Sequence, residues 1–169
     1  MGTPIVKSFA AAALAALVLL SGCAYYGANL RAGISTETEV RHDMGTPAEV
    51  YDSSDGSKLL AFPRGPLGVQ TFMAKITSEG RLESLEQVLN EAHFDRIVVG
   101  RTKQNEVRRL IGPPCEVMEF PRLQQVAWTY RFRDSYNRLA DFSVMLDPAG
   151  TVVRTVIVPL DDPPSANLP

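Results

Sequence analysis

One 18-residue pattern occurs twice in this chain, and the repeat restricts the possible folds more than any other feature of the sequence. The copies span residues 33–50 and 100–117, an offset of 67 positions. Eight positions carry the same residue in both copies, where chance gives about one. The matched pairs are Gly33/Gly100, Glu39/Glu106, Val40/Val107, Arg41/Arg108, Gly45/Gly112, Pro47/Pro114, Glu49/Glu116 and Val50/Val117. The match predicts two tandem units built on one plan.

Each copy carries the signals that begin and end a short helix. Ser35 and Thr102 occupy equivalent positions, and their hydroxyls can accept the free backbone N–H groups of a first helical turn, so we predict both as N-caps. Gly45 and Gly112 stand where each helix must end, and we expect a positive φ at both. A proline two residues after each glycine prevents continuation of the helix.

The apolar residues of the two predicted helices differ. In the second copy Val107, Leu110 and Ile111 form a stripe with the spacing of one helix face. The first copy keeps only Val40 and Met44. We therefore expect the first helix to be held more loosely and the second to anchor a larger core.

Three groups of residues in the second half of the chain share a pattern with known proteins. They are Ile97-Val98-Val99-Gly100 with Thr102, Leu110-Ile111-Gly112 with Pro114, and Trp128-Thr129-Tyr130. Together they resemble the SmpA/OmlA, or BamE-like, family of small outer-membrane lipoproteins. The resemblance implies a helical segment packed on a small antiparallel sheet. The tandem doubling is also similar to the architecture of the β-lactamase inhibitory proteins.

The sequence thus predicts an α+β fold of two tandem units, residues 33–96 and 97–160, each a short helical segment on an antiparallel sheet of three to four strands. Apolar and polar residues alternate over residues 126–133 and 141–147, which predicts one apolar and one polar face for the second sheet. The polar, proline-rich residues 161–169 are expected to be a disordered tail.

The first 22 residues have the pattern of a lipoprotein signal peptide. Lys7 is the only charge before an apolar run from Phe9 to Leu20, and that run is too short to cross a bilayer as a helix. The run ends in Leu20-Ser21-Gly22-Cys23, which resembles the bacterial lipobox. The resemblance implies cleavage before Cys23 and acylation of its thiol and new amine. An ordinary signal peptide and a membrane anchor are the alternatives.

Several acyl chains on Cys23 make a stable membrane anchor, because one chain alone binds only marginally. In similar lipoproteins an Asp after the acylated cysteine commonly retains the chain at the inner membrane, and Ala24 stands there instead. We therefore expect a protein anchored to the outer membrane and facing the periplasm. Residues 23–32 are expected to form the tether between the lipid and the first unit.

No catalytic or metal-binding constellation is apparent in the sequence. His42 and His93 fall in different units and lack metal-ligand spacing. Cys115, the only thiol besides Cys23, is expected to be a buried structural residue because no histidine lies near it in sequence. We therefore predict a non-enzymatic protein without a metal, a cofactor or a small-molecule substrate.

The candidate binding residues form one basic cluster. They are Thr129, Arg131, Arg133, Tyr136 and Arg138. A formal net charge of −2 argues against nucleic acid as the partner. The cluster could contact anionic headgroups or an acidic protein, or it could be a solvated strand face.

The resemblance implies an accessory role in outer-membrane assembly or envelope integrity, with envelope proteins such as a β-barrel assembly complex as partners. A periplasmic protein-binding or inhibitor module of the β-lactamase inhibitory protein type is one alternative, which would use the open sheet faces of both units. A purely structural envelope lipoprotein is the other.

Overall fold

The protein has an α+β fold, seen in a computed structural model that describes residues 26–160. Within that range there are two four-stranded antiparallel sheets and three helices. No helix in the described range is both long and apolar enough to cross a membrane. The predicted signal peptide, the lipidation at Cys23 and the predicted tail of residues 161–169 lie outside the described residues.

The first half of the chain forms one helix and the first sheet. The helix is α1 (Glu37–Met44), and the strands are β1 (Glu49–Asp52), β2 (Lys58–Arg64), β3 (Gln70–Ile76) and β4 (Leu82–Gln87). The four strands pair antiparallel with their neighbours in chain order.

The second half forms two helices and the second sheet. The elements are α2 (Glu91–Phe94), α3 (Gln104–Ile111), β5 (Glu116–Phe120), β6 (Gln125–Arg133), β7 (Leu139–Leu146) and β8 (Val152–Pro159). The strand order again follows the chain, and all pairs are antiparallel.

Helices α1 and α3 begin one residue later than the sequence predicts. Ser35 accepts a hydrogen bond from the backbone N–H of Arg31 at 3.0 Å, and Thr102 accepts one from Val98 at 2.8 Å. Each hydroxyl therefore closes the turn that precedes the helix, and the next residue along the chain is the N-cap. The N-cap predictions for Ser35 and Thr102 were wrong, although the two residues do form the same contact.

Both long helices end at the predicted glycine. Gly45 has φ 77° and ψ −157°, and Gly112 has φ 81° and ψ −166°. The expected positive φ is confirmed at both positions. Because ψ is extended, both residues occupy a backbone region that is accessible almost only to glycine.

Helix α1 is buried as deeply as helix α3. Val40 and Met44 are 0% and 1% exposed, and Val107 and Ile111 are both 0% exposed. The two apolar residues of α1 belong to a core with one face of the first sheet, namely Leu60, Phe62, Phe72, Ala74, Ile76 and Leu82. The expectation that the first helix is held more loosely was wrong with respect to burial. Two apolar side chains are enough to cover the side of this short helix that faces the sheet.

The other face of the first sheet is also covered. Its residues Ala61 and Met73 belong to the second core, together with Val107 and Ile111 of helix α3 and the inner face of the second sheet. Gly112 allows the end of helix α3 to lie close to the first sheet, since a Cβ at this position would be 2.8 Å from Cγ2 of Thr71. Helix α3 therefore lies between the two sheets, and the layers follow in the order α1, first sheet, α3, second sheet.

A polar contact joins helix α3 to both sheets. Arg108 forms an ion pair with Glu49 of strand β1, and its guanidinium lies 4.8 Å from the ring centroid of Trp128 in strand β6. The hydroxyl of Tyr51 donates a hydrogen bond to the same Glu49. Burial raises the pKa of Tyr51 well above its usual range, and the bond to Glu49 raises it further. This phenol therefore stays protonated and serves as a structural donor.

The described part of the predicted tether packs against the first sheet. The ring of Tyr26 lies 5.9 Å from that of Phe72, and the guanidinium of Arg64 lies 5.0 Å from the centroid of Tyr26. Leu30 packs against the first core. Residues 26–32 thus hold a defined position on the sheet surface, which places the start of the described chain near one end of the strands.

Candidate functional site: the open face of the second sheet

The outer face of the second sheet is not covered by any part of the described chain. The inner residues of its two central strands are buried, namely Trp128, Tyr130, Phe132, Ala140, Phe142, Val144 and Leu146. Most of the alternating residues on the outer side keep part of their surface in solvent. The predicted apolar and polar faces of strands β6 and β7 are therefore confirmed, and we call the outer side the open face.

Two cross-strand pairs form the centre of the open face. Thr129 lies opposite Ser143 with their hydroxyl oxygens 3.4 Å apart. Arg131 lies opposite Asp141 and donates two hydrogen bonds to its carboxylate, each 2.9 Å long. The bonds to Asp141 raise the pKa of Arg131 above its usual value. The centre is thus polar and carries balanced charge, so Arg131 is not the free cation that its sequence position suggests.

The remaining candidate residues lie at the end of the open face and in the β6–β7 turn. Arg133 is exposed and donates to the carbonyl oxygen of Asn137 at 2.9 Å. Arg138 pairs with Asp134 at 2.7 Å, and its guanidinium lies 5.1 Å from the ring centroid of Tyr136. Asp134 therefore neutralises part of the basic cluster. Only Thr129 and Arg131 of the five candidates lie at the centre of the face.

An apolar area lies at the opposite end of the same face. Met118 of strand β5 is 48% exposed, and Leu123 in the β5–β6 turn is 62% exposed. Phe120, Pro121 and Leu123 line a shallow depression of about 510 Å³. Sequence reasoning missed these residues because strand β5 was not recognised. Val117, Met118 and Phe120 make this short stretch rich in strand-forming and apolar residues directly after a helix stop, and that is the signal that could have found it.

Cys115 lies at the edge of the open face. Its side chain is exposed, and Sγ lies 3.2 Å from the carbonyl oxygen of Thr129. The prediction of a buried cysteine was wrong, because the residue precedes strand β5 at the edge of the sheet and not in its interior. Within the described residues, no group of His, Cys, Asp and Glu side chains could hold a metal ion.

A second polar surface is a groove of about 230 Å³ between helix α3 and the first sheet. Its walls include Lys75, Glu86, His93, Arg96 and Arg109. Several of these charges have partners within the protein. Lys75 pairs with Glu83 at 2.8 Å, and His93 lies 3.5 Å from Glu86. The groove therefore offers less unpaired polar surface than its composition suggests, and the open face is the stronger candidate.

Comparison with protein-family models, curated proteins and solved structures found no match for this chain. Function is therefore inferred from the residues and from their arrangement in the fold.

Proposed function

We propose that this chain is a non-enzymatic lipoprotein of the Gram-negative outer membrane that binds an envelope protein and acts as an accessory in outer-membrane assembly or envelope integrity. The lipobox-like Leu20-Ser21-Gly22-Cys23 supports the anchor. The resemblance to the SmpA/OmlA family supports the place of action and a β-barrel assembly complex as the partner. The open face of the second sheet supplies a surface for binding.

We also propose that the two predicted units are copies of one structural plan. Matched backbone hydrogen bonds support this proposal. Leu82 donates to the carbonyl of Ser35 at 2.7 Å, and Val152 donates to that of Thr102 at 2.9 Å. Each bond ties the segment before a long helix to the first residue of the last strand of a sheet. If the two units share one plan, each face of the first sheet has a counterpart in the second sheet, and the two can be compared.

The observation that carries the proposed binding role is a difference between the two sheets in how their faces are covered. The first sheet packs on both faces, whereas the second sheet leaves its outer face open. That face carries the exposed side chains of Met118 and Val158 around a polar centre. Methionine adapts its shape to a partner and is enriched at protein interfaces. An open sheet face of this composition is suited to a protein partner.

The inhibitor-type alternative receives less support from the packing. It requires the open faces of both sheets to form one concave surface. The residues Ala61 and Met73, which would contribute to that surface from the first sheet, are 0% and 4% exposed. Helix α3 occupies the space in front of them, so among the described residues the second sheet alone keeps an open face for a partner.

Site-specific photocrosslinking in cells tests the proposed function. A crosslinking residue at Ser143, in the centre of the open face, is expected to form an adduct with an outer-membrane protein or a component of its assembly complex. The matched control is Thr38, an exposed residue of helix α1 on the opposite side of the molecule. The adduct should disappear in the Cys23→Ser chain, which cannot be acylated. Equal adducts from both positions, or an adduct that persists without Cys23, would count against the proposal.

A further inference from the structure

Two hairpin tips lie next to each other at one end of the molecule. One is the β2–β3 tip, residues 65–69, and the other is the β6–β7 tip, residues 134–138. The turn Pro66–Gly68 contacts strand β6. Arg64, Gly65 and Arg133 line one cleft of about 280 Å³. The tips therefore form one surface although they belong to different sheets.

Each tip exposes one large apolar side chain. Leu67 is 59% exposed, and Tyr136 is 78% exposed. Leu67 has φ 59°, a conformation that leucine rarely adopts, in a turn closed by a hydrogen bond from the N–H of Gly68 to the carbonyl of Gly65 at 3.2 Å. The turn around Tyr136 is fixed by the carboxylate of Asp134, which accepts hydrogen bonds from the backbone of Tyr136 and Arg138, each 2.9 Å long. Both side chains are thus held outward by ordered turns.

The described chain also starts at this end of the molecule. Tyr26 packs on Phe72 and under the guanidinium of Arg64, directly beside the β2–β3 tip. Cys23 precedes Tyr26 by three residues, a distance of at most about 11 Å along an extended chain. An acyl group on Cys23 would therefore hold the two tips within a short distance of the bilayer.

We propose that Leu67 and Tyr136 enter the headgroup region of the membrane and seat the protein on it with the two tips downward. This inference rests on the proposed function, because the acylated Cys23 supplies the membrane. Tyrosine favours the membrane interface, and an arginine beside it can extend its charge to the headgroups. Arg64 and Arg133 flank the tips, and within the described residues neither belongs to an ion pair.

Apolar insertion, more than charge, is the basis of this seating. Asp134 of the β6–β7 tip pairs with Arg138 at 2.7 Å, so negative charge is also present at this end of the molecule. The seating has a geometric consequence. Strand β6 is nine residues long, so the β5–β6 turn with Leu123 lies about 27 Å from the other end of the strand. Leu123 then lies at the end of the molecule that is far from the membrane.

Tryptophan quenching on vesicles tests the inference. The acylated full chain is placed on vesicles of phosphatidylethanolamine and phosphatidylglycerol that contain lipids brominated near the headgroup. Tyr136→Trp and Leu67→Trp report on the two tips. Leu123→Trp is the matched control, because Leu123 is 62% exposed, close to the 59% of Leu67, and lies at the opposite end. The native Trp128 is 7% exposed and gives a constant background. Two tip variants are used so that a folding defect in one leaves the other readable.

We expect the added fluorescence to be quenched in the Tyr136→Trp and Leu67→Trp chains and to remain in the Leu123→Trp chain. Vesicle-bound chains in which the tip variants are quenched no more than the control would overturn the seating and leave the anchor intact. Chains that fail to float with the vesicles although Cys23 is present would overturn the lipid anchor, and with it this orientation. Flotation and quenching therefore separate the two failures.

Discussion

The two sheets have the same strand order, yet the matching face is covered in the first and open in the second. In the first sheet Ala61 lies opposite Met73 on the face that helix α3 covers. At the corresponding positions of the second sheet Thr129 lies opposite Ser143. The correspondence follows from strand register, because the repeated glutamates, Glu49 and Glu116, lie opposite Ala61 and Thr129. The first sheet thus has an apolar pair where the second sheet has a pair of hydroxyl side chains.

The next pair along the strands shows a larger change. Pro63 and Thr71 face each other on the covered side of the first sheet, whereas Arg131 and Asp141 face each other on the open side of the second. A helix that covered Arg131 and Asp141 would remove both charges from water, and the desolvation cost can exceed the gain from their attraction. The exchange of a few residues thus explains why the stack of layers ends at the second sheet.

The matched arginines of the repeat show the same divergence. Arg41 pairs with Glu37 of its own helix at 2.8 Å. Arg108, the equivalent residue of helix α3, reaches across to Glu49 of the first sheet. The residue type is conserved between the copies of the pattern, but its partner depends on whether another layer lies in front of the helix. Contacts between layers, and not the repeated pattern, give the equivalent residues different roles.

The largest expected effect distinguishes the two helix-ending glycines. Gly112→Val should lower the free energy of unfolding by about 2–6 kcal/mol, because it adds overpacking against Thr71 to backbone strain. Gly45→Val should cost only about 1–3 kcal/mol from strain, since no described residue beyond its chain neighbours lies within 4 Å of the added Cβ. Urea unfolding of both variants measures the difference. Equal losses would show that the contact between Gly112 and the first sheet contributes nothing.

The covered and open faces can be compared directly at one matched position. Met73→Ala should destabilise the protein by about 2–5 kcal/mol, because the side chain is buried under helix α3. Ser143→Ala, its counterpart on the open face, should stay within about 0.5 kcal/mol. Thermal and urea unfolding give both values. A large loss for Ser143→Ala would mean that the open face is structurally occupied, and the comparison of the two faces would fail.

A smaller effect is expected at the matched arginines. Arg108→Ala should cost about 1–2 kcal/mol, because it removes a partly buried ion pair and leaves Glu49 without its cation. Arg41→Ala should cost about 0.5 kcal/mol or less, since its pair lies on the surface of one helix. Lys replacements at both positions serve as controls that keep the charge. The reverse order of losses would contradict the assignment of Arg108 to the junction between the layers.

The smallest effect is a pH dependence confined to one hairpin tip. Hydrogen bonds from Arg138 hold the pKa of Asp134 below its usual value. A carboxyl group whose pKa is lower in the folded state stabilises the fold above its unfolded pKa, and this contribution is lost as the pH falls through the lower folded value. Backbone resonances of residues 134–138 should therefore shift on acidification in the native chain and not in the Asp134→Asn variant. The β2–β3 tip, residues 65–69, contains no carboxylate and serves as the internal control.

The local features that the sequence predicts well are those that depend on chain neighbours. The alternation from Val126 to Arg133 identifies the buried side of strand β6, because successive strand residues point to opposite faces. The predictions at Gly45 and Gly112 succeed because a helix stop is encoded within a few residues. Strand β5 is missed because it is a short edge strand whose exposed residues carry a weak pattern.

The candidate site was predictable only in part. Arg131 was identified as a candidate, but its partner Asp141 lies ten residues away and becomes a neighbour only through the β6–β7 register. The apolar end of the open face, with Met118 and Leu123, depends on a strand that alternation alone does not identify. A residue's chemistry can be read from the sequence, whereas its charge balance and exposure depend on pairing between strands.

By itself, the amino-acid sequence determined the repeated pattern, the glycine stops of the two long helices and the inner face of the second sheet, because all of these arise from local backbone preferences and side-chain periodicity. Only the packing in three dimensions placed helix α3 between the two sheets, so that Met73 is buried and Ser143 is not, although the two residues occupy equivalent positions of equivalent strands. The physical reason is that burial depends on what lies in front of a face. That neighbour comes from a distant part of the chain, and its position follows from the packing of Gly112 and Arg108 against the first sheet.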